Sequence, residues 1–227
     1  DLGDADVRAV RRFLADWIER ISPRYMAVSL PPDFAFPEEG PRGRLMERCI
    51  LPAARQAGIP LAMMIGVRRQ VNPALRLAGD GMGRASTEPI ERLCTGFPEN
   101  RFLVTMLSRE NQHELCVTAR KLPNLLVFGC WWFLNNPGFI EEMTRARLEM
   151  LGLSFIPQHS DARVTDQLIY KWAHSRAVIG EVLADKYVDL LRAGWVPAEP
   201  EIRRDVADLF GGLFERFCGK RETGVEA

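Results

Sequence analysis

The stretch GCWWFLNNPGFIEEMTRARLEMLGLSFIPQHSDAR, residues 129–163, decides how the chain is read. LLVF, just before it, is the end of a buried strand. A turn carrying paired tryptophans follows, then an amphipathic helix from Phe139 to Met150 and a second short apolar strand in SFIP. Next come an acid and a base two residues apart, Asp161 and Arg163. Strand, helix and strand in that order make a parallel crossover unit. In parallel sheets and barrels the residues just past the carboxyl ends of the strands face the ligand crevice. Asp161 and Arg163 occupy such a place.

The same alternation extends outward. Val7, Val10, Phe13, Leu14, Trp17, Ile18 and Ile21 recur at three- and four-residue steps and predict a helix that Pro23 ends. YMAVSL at 25–30 and LAMMIGV at 61–67 read as buried strands, separated by a proline- and glycine-rich loop and a helix from about Leu45 to Ala57, with Gly58 as its stop. The continuous apolar run of LAMMIGV suits a parallel sheet covered on both faces. A long loop is expected from Arg68 to about Glu88, with glycines at 79, 81 and 83 and positive charge from Arg68, Arg69, Arg76 and Arg84. A loop of that length inside a domain is usually functional or mobile. RFLVTML at 101–107 is the third strand, and SRENQ leads into a helix to about Leu122. Beyond the opening stretch come a helix from about Asp166 to Ala193, a break at Pro197 and Pro200, a last helix from Ile202 to Cys218, and a polar, frayed tail, KRETGVEA.

Strand then helix, five times over, predicts α/β architecture with a parallel sheet. A closed barrel needs eight such units in about 250 residues. This chain spends its length on five, behind a leading helix with no strand before it. The expectation is one domain over residues 1–227, the back part of a barrel lacking its N-terminal strands; a start at Asp1 without a methionine agrees with a missing front.

Composition narrows the partner. Thirty basic residues balance thirty acidic ones, so no whole-molecule field favours nucleic acid or an anionic membrane, and a small ligand is expected instead. The five cysteines are widely spaced with no CxxC pair, which argues against a disulfide framework or a zinc knuckle and for reduced, buried thiols. No apolar run approaches the roughly 20 residues of a membrane span, and a cytoplasmic home follows as the default. Assembly with further copies of itself is left open.

GCWWF and, about thirty residues on, SDAR resemble the segments GWWF and TDSR in the carboxyl-terminal half of the uronate isomerases, the glucuronate isomerase family of the amidohydrolase superfamily. MIGVRRQVN at 64–72 is similar to that family's HIGALRNNN, LSRENQHEL at 107–115 to its LNPRDNEVL, and YKWAHSR at 170–176 is a loose echo of its RHEYFRR. The resemblance covers most of residues 60–180, and its specific parts are the paired tryptophans and the DxR segment. It implies part of a TIM-like (β/α)8 metal-dependent hydrolase barrel, an isomerase of carbohydrate metabolism, and a small sugar-acid substrate of the glucuronate or fructuronate type. It also implies a divalent metal, zinc, held by an HxH pair on the first strand and by an aspartate that corresponds to Asp161. Aldose–ketose isomerisation moves a proton between neighbouring carbons through an enediolate, and a metal and a guanidinium can both stabilise that oxyanion. On this reading Asp161 and Arg163 are catalytic, Asp161 ligates the metal, and Arg69, Arg109, Trp131 and Trp132 contact the substrate, with arginine suited to its carboxylate.

Two departures bear on this. The three histidines, His113, His159 and His174, form no HxH pair, so the first-strand ligands are absent from these residues. Met64 stands where the family pattern has histidine. A metal-dependent hydrolase of the same superfamily and a non-catalytic barrel relative are therefore the alternatives. Each candidate also has a plainer role. Asp161 could cap the next helix, Arg163 could serve in an ion pair, and His159 could pack or support a neighbour. Trp131 and Trp132, as neighbours on a strand, should face opposite ways, one into the core and one onto the pocket. The loop of Arg109, Asn111 and His113 could meet a polar substrate. Cys130 has no base nearby in sequence to activate it.

Overall fold

The apolar runs become parallel strands in the computed structural model, which describes residues 3–219. The tail KRETGVEA lies outside the described residues. In chain order the elements are α1 (Asp4–Ile21), β1 (Met26–Leu30), α2 (Pro41–Leu45), α3 (Leu51–Ala57), β2 (Leu61–Ile65), β3 (Val67–Arg68), β4 (Gly81–Met82), α4 (Glu88–Gly96) and β5 (Phe102–Met106). They continue with α5 (Gln112–Ala119), β6 (Leu125–Val127), α6 (Pro137–Leu151), α7 (Thr165–Arg192), α8 (Glu199–Ala207) and α9 (Leu213–Cys218).

Four strands form one parallel sheet in the order β1-β2-β5-β6, with Met26, Leu61, Phe102 and Leu125 level across it. The expected fifth strand is reduced to a single parallel bridge, Phe128 to Ile156, closed by Ile156 N–H to Val127 O at 2.9 Å and Gly129 N–H to Ile156 O at 2.8 Å. Pro157 follows at once, and a residue without an N–H cannot extend the ladder. Among the described residues the sheet is open and closes no barrel.

Because side chains alternate, each strand feeds two layers. Leu61, Met63, Ile65, Phe102, Val104, Met106, Leu125 and Val127 face the helices and join Leu93, Leu115, Ile140 and Ile179 in the main core. Each such side chain contributes about 1.5–3 kcal/mol by leaving water. Ala62, Leu103, Leu126 and Phe128 face the other way, where Leu213, Phe214, Phe217 and Cys218 of α9 cover them. Ala27 and Ser29 of β1 stay exposed.

Three expectations change. The helix expected over 202–218 begins earlier and breaks at Phe210 and Gly211, whose φ of 155° suits only glycine. The Arg68–Glu88 loop is built rather than slack: β3 and β4 pair antiparallel around a 3₁₀ segment, Pro73–Gly79. Finally, α4 is a helix that the sequence reading did not name between the loop and the third strand; Pro89 lies in its first turn beside Glu88, with Ile90, Leu93 and Cys94 buried, a start signal of the ordinary kind. All five cysteines are free and buried, as expected. No helix among the described residues is long and apolar enough to cross a membrane.

Candidate active site at the strand ends

The turns after β2, β5 and β6 meet in one small apolar cluster. Val67, Leu107 and Trp131 are buried there, with Met64 and Trp132 packed against them. Trp131 and Trp132 therefore do not face opposite ways as expected. They lie outside the strand, Trp132 takes a left-handed φ of 44°, and the two rings sit 6.3 Å apart. Trp132 also stacks on Phe133 at 4.6 Å.

Asp161 adjoins this cluster in a left-handed turn, φ 46°, a conformation costly for a residue with a Cβ. The Trp131 indole lies near enough to its carboxylate to favour the charged form. Lys171 Nζ donates to its carbonyl oxygen at 3.0 Å. Asp161 as a whole is exposed, but partial desolvation of its carboxyl holds it above the ordinary carboxylate range, against the opposing pull of Lys171, Arg163 and the indole. The capping role does not hold: the N-cap of α7 is Val164, and the Arg163 N–H bonds Gln167 Oε1 at 2.8 Å.

Arg163 is exposed, and its charge acts on two carboxylates, Asp161 and Asp80. Asp80 is the residue that sequence reasoning missed. Its side chain is 1% exposed and bonds Arg69 Nη1 at 2.5 Å and the Gln70 N–H at 2.9 Å. These two bonds, with the charges of Arg69 and Arg163, hold its carboxyl below the usual range. Only its place in a glycine-rich run, GDG, marks it in the sequence. Arg109 is not drawn to this group by any bond; it pairs with Glu142 of α6 at 2.9 Å. Asn111 is likewise structural, its amide exchanging bonds with Ala85 at 3.0 and 2.7 Å, and His113 is exposed on α5.

Beneath the turns lies a polar network with no sequence signature. Gln158 Oε1 accepts from the N–H groups of Cys130 and His159, both at 3.1 Å. Its amide nitrogen donates to Asn135 at 3.0 Å and Ser175 at 2.7 Å. Arg147, buried in α6, donates to Gln112 at 2.9 Å and reaches the Cys130 sulfur at 3.9 Å. Cys130 thus has a basic partner that its neighbours in sequence do not reveal, but burial outweighs it and raises the thiol pKa. His159 packs on Phe128 with ring centroids 4.9 Å apart, and burial, helped by Arg147 and Lys171, lowers its pKa to about 4. Its Nε2 is buried with no partner among the described residues. Phe128, Gln158, His159, Ser160 and Trp172 help line a cavity of about 320 Å³ between the sheet and Phe210.

As a metal site the chain's own donors are incomplete. No three His, Cys, Asp or Glu side chains converge among the described residues. Asp161 offers one carboxylate, and a metal normally takes at least three protein ligands.

No protein-family model matches the chain, and no curated protein does. Solved structures do. A uronate isomerase from Bacillus halodurans is 62% identical with a TM-score of 0.94, over 97% of this chain and 52% of its own. A uronate isomerase from Thermotoga maritima is 14% identical with a TM-score of 0.77, over 95% of this chain and 54% of its own. A glucuronate isomerase from Caulobacter crescentus is 17% identical with a TM-score of 0.78, over 95% of this chain and 50% of its own. The last two show likeness of fold alone. The chain is similar to uronate isomerases over nearly its whole length, and it spans about half the length of those it matches.

Proposed function

We propose that this chain is one half of a uronate isomerase and that the whole protein interconverts aldose and ketose sugar acids of the glucuronate and fructuronate type. The observation that carries this reading is the setting of Asp161. A strand-end carboxylate with its pKa raised by partial burial stands among the Trp131 indole, Lys171 and Arg163, in a chain 62% identical to a uronate isomerase.

The chemistry follows from those groups. The carbon-bound proton leaves C2 of the aldose to give an enediolate, the C2 hydroxyl proton passes to O1, and a proton returns at C1, so atoms balance without an external oxidant. Asp161 is the proton carrier, and a raised pKa brings a carboxylate closer to the value such a carrier needs near neutral pH. Arg163 and Lys171 supply positive charge to the enediolate oxygens. Arg69, just past β3, receives the substrate carboxylate, and the paired tryptophans wall the site.

The wider reading is that the parallel sheet is part of an eight-stranded barrel of the amidohydrolase superfamily, acting in the cytoplasm on a small sugar acid. A divalent metal, zinc, belongs to that reading only with ligands beyond the residues described here, because Asp161 alone does not make a site.

The test uses the full-length protein. Incubation with glucuronate and with galacturonate should yield the matching ketose acids, and Asp161→Asn should abolish turnover while the protein still folds. Wild-type protein that binds metal but forms no ketose product would sink the isomerase reading.

A further inference from the structure

Arg69 is not a free surface cation. In its pair with Asp80 the carboxylate is the buried member, with a side chain 1% exposed, and the guanidinium is the open one at 63%. Most surface ion pairs have two mobile partners and are worth little. Here one partner is fixed. Asp80 also accepts the Gln70 N–H at 2.9 Å, and the segment between them is closed on itself by the Asn72 N–H to Gly79 O at 3.0 Å. Gly79 lies so close to Asn72 that a Cβ there would be 1.9 Å from the Asn72 carbonyl oxygen. At its far end the hairpin is tied to the turn after β2 by the Gly83 N–H to Gly66 O at 2.9 Å.

Asp80 therefore has a set position relative to the strand ends. A guanidinium has five N–H donors, and the bond to Asp80 occupies one of Arg69's. Arg69, Arg163 and Lys171 bring three positive charges, while Asp80 and Asp161 bring two negative ones.

We propose that Asp80 is a positioning residue that holds Arg69 at the strand ends, so that the donors left free on its guanidinium receive the carboxylate of an anionic sugar. This rests on the isomerase reading above for the identity of the sugar. The role of Asp80 can be tested apart from it.

In the full-length protein Asp80→Asn keeps the shape of the side chain and its acceptor for Gln70 but loses the charge that holds Arg69. Its KM for glucuronate should rise roughly ten- to a hundredfold, the worth of a charge-assisted hydrogen bond, with the loss falling on KM rather than kcat. Arg69→Met should raise KM as much or more. The double variant should be no worse than Arg69→Met alone, because Asp80 acts through Arg69. A purely structural role predicts a lowered melting temperature and losses that multiply in the double variant. An unchanged KM in Asp80→Asn, or multiplied losses, overturns the proposal. Should Asp80→Asn fail to fold, Arg69→Lys on the exposed partner carries the test: it keeps the charge without the guanidinium geometry and must raise KM likewise. If the wild-type protein isomerises no uronate, the isomerase reading fails separately. Calorimetric binding of gluconate to the wild type and the same variants then decides the role of Asp80: weaker binding by Asp80→Asn supports it, and equal binding overturns it.

Discussion

Lys171 reaches back ten residues from the first turns of α7 to the carbonyl oxygen of Asp161, Nζ to O at 3.0 Å. The bond holds a left-handed aspartate in the orientation that the Trp131 indole also engages. Lys171→Met removes that hold and one positive charge beside Asp161, the proposed proton carrier. It should lower kcat by about ten- to a hundredfold, since small displacements of a reacting group cost that much. Lys171→Arg should recover part of the loss. Equal kcat in wild type and Lys171→Met, in steady-state turnover of glucuronate, would remove Lys171 from the site.

Gly129 offers a test of the packing beneath the tryptophans. Its φ is 69°, and a Cβ there would sit 1.9 Å from Cδ2 of His159. Gly129→Ala should therefore cost about 3 kcal/mol or more, from left-handed strain plus overpacking. A urea titration gives the number. Adding His159→Ala to Gly129→Ala should cost less than His159→Ala costs alone, because the clash leaves with the imidazole. Additive losses would mean that the imidazole is not what excludes the methyl group.

The fold was legible where one hydrophobic pattern ran unbroken. The runs at 25–30, 61–67 and 101–107 became β1, β2 and β5 within two residues of their expected ends. Expectation failed where backbone chemistry overrode the pattern, as at Pro157, which cut the last strand to one bridge, and at Gly211, which broke the last helix. At the site, Asp161, Arg163 and Trp131 share one strand-end neighbourhood and were found together. Asp80 and Lys171 were not, because a closed hairpin and the next helix bring them in at spacings that no periodicity predicts. Arg109 looked equivalent to Arg69 in sequence, yet α6 presents Glu142 to it while the hairpin presents Asp80 to Arg69.

Gln158 joins the turns after β6 and Ile156 to α7. Its side chain satisfies the N–H groups of Cys130 and His159 and donates to Asn135 and Ser175. Gln158→Ala leaves buried donors and acceptors without partners, each costing about 1–3 kcal/mol. The expected loss is about 2–4 kcal/mol in a denaturant titration, the range of a broken buried network. Ser175→Ala, which removes one bond of the set, should cost less. A loss below about 0.5 kcal/mol for Gln158→Ala, the level of an ordinary surface change, would mean that the network does not hold the turns together.

His159 should make stability fall as the solution is acidified. Its pKa in the folded protein is about 4, lowered from an ordinary 6.5 chiefly by burial. As the pH falls below 6.5 the unfolded chain takes up a proton that the folded protein refuses, so the contribution is complete above 6.5 and is lost progressively down to about 4. The whole span is on the order of 3 kcal/mol, and most of it should be gone by about pH 4.5. His159→Gln is neutral at every pH and lacks this dependence. Urea midpoints at about pH 7.5 and pH 4.5 should therefore fall further in the wild type than in His159→Gln, by a difference equivalent to roughly 2 kcal/mol. The same fall in both proteins would show that the imidazole takes up its proton in the folded state as readily as in the unfolded chain.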